Sequence, residues 1–184
     1  ESGVLAGLNK NKNLEIALKL ELPDWVDEQL IHKHTTARTG IKLNDIKNVV
    51  VHYVGNPGTT AQNNRDYFDK SDTTVSSHFV VGLDGEIIQC LPLYERSAAS
   101  NNRNKDTISI EVCHPDDSGR FNEETYNSLV KLTSFLLSKF SLDETEILRH
   151  SAITGKKCPK YFVEYPDEWK AFKKDVFALV ENEK

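Results

Sequence analysis

Three consecutive valines, Val49 to Val51, lead into His52 and Tyr53 and then into the turn formers Gly55-Asn56-Pro57-Gly58. A β-branched run this short, closed by turn residues, fits a buried central strand and is too short for a helix. The pattern recurs along the chain. Ser77 to Gly82 reads as a strand, Leu83-Asp84-Gly85-Glu86 as a hairpin turn and Ile87 to Leu91 as the partner strand, because Asp-Gly between two apolar runs is a strong hairpin signal. Thr107 to Cys113 reads as a further strand, with Ile108, Ile110 and Val112 on one face and Ser109, Glu111 and Cys113 on the other. Glu146 to Arg149 reads as a last short strand that delivers His150.

Helical segments fall between these runs. Thr59 or Thr60 caps one that reaches about Asp69. Asn122 caps a second, with Glu123 and Glu124 favourably placed in its first turn and an apolar stripe of Tyr126, Leu129, Val130, Phe135, Leu136 and Phe140. Asp167 caps a closing helix that turns Trp169, Phe172, Val176 and Leu179 inward. The fold class is therefore α/β, a central mixed β-sheet covered by helices. Residues 1–34 read as an N-terminal arm, in which Pro23-Asp24-Trp25-Val26 opens a short helix, and residues 35–184 as one domain.

A net charge of −5 without a cluster of basic residues disfavours a nucleic-acid surface. No apolar run approaches the roughly 20 residues that cross a bilayer. The chain contains no methionine, so a processed or excised form is expected, with a signal peptide or anchor removed from its front. Three cysteines are too few for a disulfide scaffold. Cys90 and Cys113, each at a strand end, are read as free buried thiols or as one disulfide, with the free form favoured.

His52 and His150 each follow a strand, and Cys158 lies eight residues beyond His150 on a loop holding Gly155 and Lys156. Taken singly, each histidine reads more plainly as a hydrogen-bonded strand-end residue. Together, two nitrogens and one sulfur suit zinc, and three protein ligands leave the fourth tetrahedral position open for water, as in a catalytic site. Glu111 is the best candidate for the general base and acid that such a site needs. Lys156 is the candidate to stabilise an oxyanion. Ser77, His78 and the Asn101, Asn102 and Arg103 loop are candidate substrate contacts from their place near the inferred sheet end. A structural zinc site instead requires a fourth protein ligand, with His78 or His114 to supply it.

The ordered segments Val51-His52-Tyr53, Ser76-Ser77-His78-Phe79-Val80-Val81-Gly82, Asp84-Gly85, Asp106-Thr107-Ile108-Ser109-Ile110-Glu111 and Arg149-His150 through Cys158-Pro159 carry a family likeness. The chain resembles the zinc-dependent N-acetylmuramoyl-L-alanine amidases of the second amidase type, which include phage endolysins, bacterial autolysins and peptidoglycan recognition proteins. The likeness runs from about residue 35 to the end. It implies that His52, His150 and Cys158 hold zinc, Glu111 is the catalytic acid and base, and Lys156 stabilises the intermediate. It implies hydrolysis of the amide between N-acetylmuramic acid and L-alanine, with peptidoglycan or muropeptides as partner. A monomer acting outside the cell or at the cell wall is expected. The alternative is a non-catalytic peptidoglycan-binding module on the same fold; such modules typically lose the cysteine, which is present here. Ser77 stands where some relatives have tyrosine, Ser151-Ala152 replaces a common Tyr-Asp pair, and an aromatic-histidine pair is absent near Ser97-Ala98.

Overall fold

The computed structural model describes residues 12–182. The front of the expected arm, residues 1–11, lies outside the described residues. One sheet of six strands organises the fold: β1 (Val26–Glu28), β2 (Asn48–Tyr53), β3 (Phe79–Val81), β4 (Ile87–Gln89), β5 (Thr107–Val112) and β6 (Ile147–Arg149), in the spatial order β1-β4-β3-β5-β2-β6. β3, β5, β2 and β6 are parallel, whereas β4 turns back antiparallel to β3. The sheet is mixed, as the hairpin signal implies.

The period-2 alternation of the strands sorts their side chains into two apolar layers. Val49, Val51, Phe79, Val81, Ile108, Ile110 and Val112 join one core with α3 (Glu123–Phe140) and α6 (Pro166–Asn182). Val80, Ile88, Cys90 and Cys113 join a second core with Ala61 and Phe68 of α2 (Ala61–Phe68). Both cysteines are free and buried. Strands buried on both faces carry near-continuous hydrophobic runs, which is why Val49 to Val51 has no polar alternation.

Local chemistry sets the ends of the elements. Thr60 caps α2 through a capping box with Asn63, and the Asn122 side chain accepts from the Thr125 N–H at the start of α3. The β3–β4 turn docks on α3: Ser128 Oγ donates to the Gly85 carbonyl at 2.6 Å, and Thr125 Oγ1 donates to the Gly82 carbonyl at 2.7 Å. Gly85 adopts φ +82°, and a Cβ there would stand 2.8 Å from Ser128 Oγ, so the turn needs glycine for conformation and for close approach.

Three sequence expectations change. Pro23 to Val26 opens no helix; a turn precedes β1, which pairs in parallel with β4. The stretch read as an arm also supplies α1 (Lys12–Lys19), whose Ala17 is buried in the first core. In α6 the helix begins at Pro166, so Asp167 lies inside its first turn, and the fourth inward residue is Val180 rather than Leu179, because Val180 continues the face of Trp169, Phe172 and Val176.

A buried ion pair ties the segment after β1 to the loop between β4 and β5. Arg38 Nε and Nη2 each donate to one Glu95 carboxylate oxygen at 2.9 Å, and the side chains are only 6% and 5% exposed. Arg38 Nη1 also donates to the Ile31 carbonyl at 2.6 Å. Removing one partner strands the other charge away from water. Arg38→Met is expected to lower unfolding free energy by about 3–5 kcal/mol, read as a lower urea midpoint at unchanged slope. A midpoint equal to the parent's would show that the pair contributes no net stability.

Candidate metal centre

His52, Glu111 and His150 sit at the carboxyl ends of parallel strands, where α/β sheets open toward ligands. His52 and Glu111 are register partners across the β2–β5 pair and share the face that Val50 and Ser109 occupy. His150 directly follows β6 and leads into the one-turn helix α4 (Ser151–Thr154). Gly155 ends that turn at φ +80°, which favours glycine. The chain then curls back: the Cys158 N–H donates to the Lys156 carbonyl at 2.8 Å, and the Ser151 N–H donates to the Cys158 carbonyl at 3.0 Å. This curl is how eight residues of sequence return Cys158 to His150.

The ligand atoms of His52, His150 and Cys158 all lie within 4.8 Å of one another, and all three residues are buried. Cys158 Sγ is 3.8 Å from His52 Nδ1, and the two imidazole centroids are 4.7 Å apart. Tetrahedral coordination with metal–nitrogen bonds near 2.0–2.1 Å and a metal–sulfur bond near 2.3 Å needs donors about 3.3–3.8 Å apart. Buried His150 Nδ1 and Glu111 Oε2 have no hydrogen-bond partner. Orphaned polar atoms beside a nitrogen–nitrogen–sulfur cluster are what a site shaped for a cation leaves exposed to view. Among the described residues no further His, Cys, Asp or Glu joins the three. The residues present therefore fit a metal ion with an open position.

Electrostatics agree with that fit. Burial, then the neighbouring His150 and Lys156, hold the His52 imidazole down at about 3. Burial, then Lys156, also lowers His150. Both rings are thus neutral near pH 7, the form that ligates. Burial and the nearby Glu111 push the Cys158 thiol up to about 12, against the pull of a Tyr53 backbone hydrogen bond and of Lys156. Burial raises the Glu111 carboxyl to about 8, with Lys156 drawing it back. A cation in the cluster would reverse the last two shifts and favour thiolate and carboxylate.

Lys156 is exposed at the rim. With His150, Asn101, Val75, Ala98 and Ala99 it lines an open cleft of about 370 Å³. Asn101 and Asn102 are exposed there or beside it, and Arg103 is turned away to Asp106 at 2.7 Å. Ser77 and His78 require correction as substrate contacts, since both are fully buried. Ser77 Oγ donates to the Phe79 carbonyl, and His78 spends its ring nitrogens on Ser109 and the Glu95 carbonyl. His114 is likewise engaged, with Nε2 accepting the Gly55 N–H and Nδ1 donating to the Asp116 carbonyl. Neither spare histidine is a fourth ligand. Ser100, whose Oγ is 3.2 Å from His52 Nε2, carries no signal in sequence because 48 residues separate the pair.

Comparison with known proteins agrees with this geometry. The family described as N-acetylmuramoyl-L-alanine amidase matches residues 42–161. The chain is 33% identical over 169 residues to "N-acetylmuramoyl-L-alanine amidase BlyA" of Bacillus subtilis (strain 168), covering 80% of this chain and 45% of that protein. It is 29% identical over 162 residues to "N-acetylmuramoyl-L-alanine amidase CwlL" of Bacillus licheniformis, covering 79% of this chain and 44% of that one. The chain thus spans less than half the length of these curated relatives. A solved "Mutant endolysin from Bacillus subtilis" superposes with TM-score 0.72 at 27% identity, over 82% of this chain and 97% of that chain. With a match that takes in His52, Glu111, His150 and Cys158 on a shared fold, the chain belongs to the N-acetylmuramoyl-L-alanine amidase family.

Proposed function

We propose that the chain hydrolyses the amide joining N-acetylmuramic acid to L-alanine in peptidoglycan, acts at the cell wall, and uses zinc held by His52, His150 and Cys158. The observation that carries this reading is the convergence of those three donors beside an unpartnered Glu111 carboxyl oxygen. A bound zinc ion would supply Lewis acidity toward the scissile carbonyl and lower the pKa of water from about 15.7 toward about 7. Glu111 takes the proton of the attacking water and later delivers it to the departing alanine nitrogen, a role worth about 10²–10⁴ in rate. The Lys156 ammonium, at the rim beside His150, stabilises the oxyanion of the tetrahedral intermediate. Asn101 and Asn102 border the cleft and contact glycan or stem peptide. The buried Cys158 thiol supports hydrolysis over binding alone, since a holding module has no need of a third metal donor.

Each of the three roles, ligand, acid and base, and oxyanion partner, has its own expected outcome. Zinc at about 100 times its dissociation constant stabilises the protein by about 2.7 kcal/mol, raising Tm by roughly 5–10 °C in a domain of this size. Calorimetry of metal-stripped protein should show that rise, and Cys158→Ala should abolish it; an equal rise in the variant would remove Cys158 from the ligand set. Glu111→Gln should retain the zinc-dependent rise yet release new free alanine amino termini from sacculi at least about 100-fold more slowly. Lys156→Ala should lower kcat by about 10²–10³. Cleavage by Glu111→Gln at the parent rate would exclude the proposed acid and base.

A further inference from the structure

We infer that the Ser100–Asn104 turn is the positioning device of the metal centre: Ser100 and Asn101 hold the outer nitrogens of His52 and His150 so that both rings present Nδ1 to the ion. The inference rests on the zinc reading above and assigns residues that sequence spacing does not reach.

The contacts are asymmetric in a telling way. His150 Nε2 lies 2.8 Å from Asn101 Oδ1, while its buried Nδ1 has no partner. An amide oxygen can only accept, so Nε2 carries the proton and Nδ1 keeps the lone pair. His52 has the matching contact, with Nε2 at 3.2 Å from Ser100 Oγ, a hydroxyl able to accept in the same way, and Nδ1 facing Cys158 Sγ at 3.8 Å. Two adjacent residues of one turn therefore serve both rings. A ligating histidine whose other nitrogen is held this way has its tautomer and ring angle fixed before metal arrives.

The turn is built to hold that position. Asn101 has a left-handed backbone at φ +56°, a conformation asparagine tolerates better than most residues. Asn104 Oδ1 accepts the Ala99 and Ser100 N–H groups at 3.1 and 2.6 Å. Arg103 bonds Asp106 and Asn48, and Thr107 Oγ1 donates to the Arg103 carbonyl at 2.8 Å. Asn48 and Thr107 begin β2 and β5, the two strands whose far ends carry His52 and Glu111. The turn and the site are thus anchored to the same pair of strands. Nothing in the turn's own hydrogen bonding uses Asn101 Oδ1; its partner is His150.

The test separates backbone from acceptor. Asn101→Gly keeps the left-handed backbone and removes the oxygen; Asn101→Asp keeps an acceptor oxygen. Zinc affinity is measured by competition with a chromogenic chelator, and geometry by the visible spectrum of the cobalt-substituted protein. Asn101→Gly should bind zinc about 10–100-fold more weakly, with an altered cobalt spectrum and unchanged unfolding of the metal-free protein, and Asn101→Asp should restore both. Parent-like affinity and spectrum in Asn101→Gly would overturn the inference. Long-range proton–nitrogen NMR of the zinc-loaded parent decides the matter even if a variant fails to fold. Both His52 and His150 should be Nε2-protonated with Nδ1 shifted by metal, and ligation through Nε2 at either ring would overturn the inference. A parent protein that takes up no zinc would instead reject the metal reading, and the inference with it.

Discussion

Burying two imidazoles and a thiol against one another is the constraint from which the rest of the site follows. Removed from water, His52 and His150 lose their protons and become donors, while Cys158 keeps its proton unless a cation displaces it. Such a cluster is poised rather than satisfied. His150 Nδ1 and Glu111 Oε2 are both buried without a hydrogen-bond partner. Parallel strand ends supply three of the four groups, so the sheet, with its two apolar layers, sets their spacing without help from flexible loops.

The fourth group and the outer contacts come from loops, and the fold spends buried polar interactions to make those loops rigid. The β4–β5 connection is held by the Arg38–Glu95 pair, by His78 donating to the Glu95 carbonyl, and by Ser109 Oγ donating to Ser97 Oγ at 2.7 Å. Ser76 Oγ donates to the Ala37 carbonyl and accepts the Ala98 N–H. Satisfied networks of this kind specify one arrangement, whereas a half-satisfied one would be costly. His78 and Ser77, which look like site residues in sequence, belong to this support beneath the site.

What the sequence made legible was whatever depends on local period and turn chemistry. The alternation Ile108, Ile110, Val112 against Ser109, Glu111, Cys113 placed Glu111 on a polar face, and the structure puts it beside His52. Asp84-Gly85 located the hairpin, and Asn122 the start of the longest helix. What stayed hidden depends on partners distant in the chain. Val26–Glu28 is a strand only because β4 offers it an edge, and three residues carry no period of their own. Arg38 and Glu95 are 57 residues apart, and each alone reads as a surface charge. Ser100 finds its meaning only when β2 brings His52 against it. Leu179 and Val180 exchanged places because they are the i+3 and i+4 neighbours of Val176, which a 3.6-residue period separates poorly, while Trp169, Phe172 and Val176 stayed inward.

The central claim is that His52, His150 and Cys158 close on one ion and leave a vertex to solvent. X-ray absorption at the zinc edge of the loaded protein measures this directly. The loaded protein should hold one zinc per chain, with two imidazole nitrogens at about 2.0–2.1 Å, one sulfur at about 2.3 Å and one further light atom from solvent. A first shell without sulfur, or one filled by four protein donors, would contradict it.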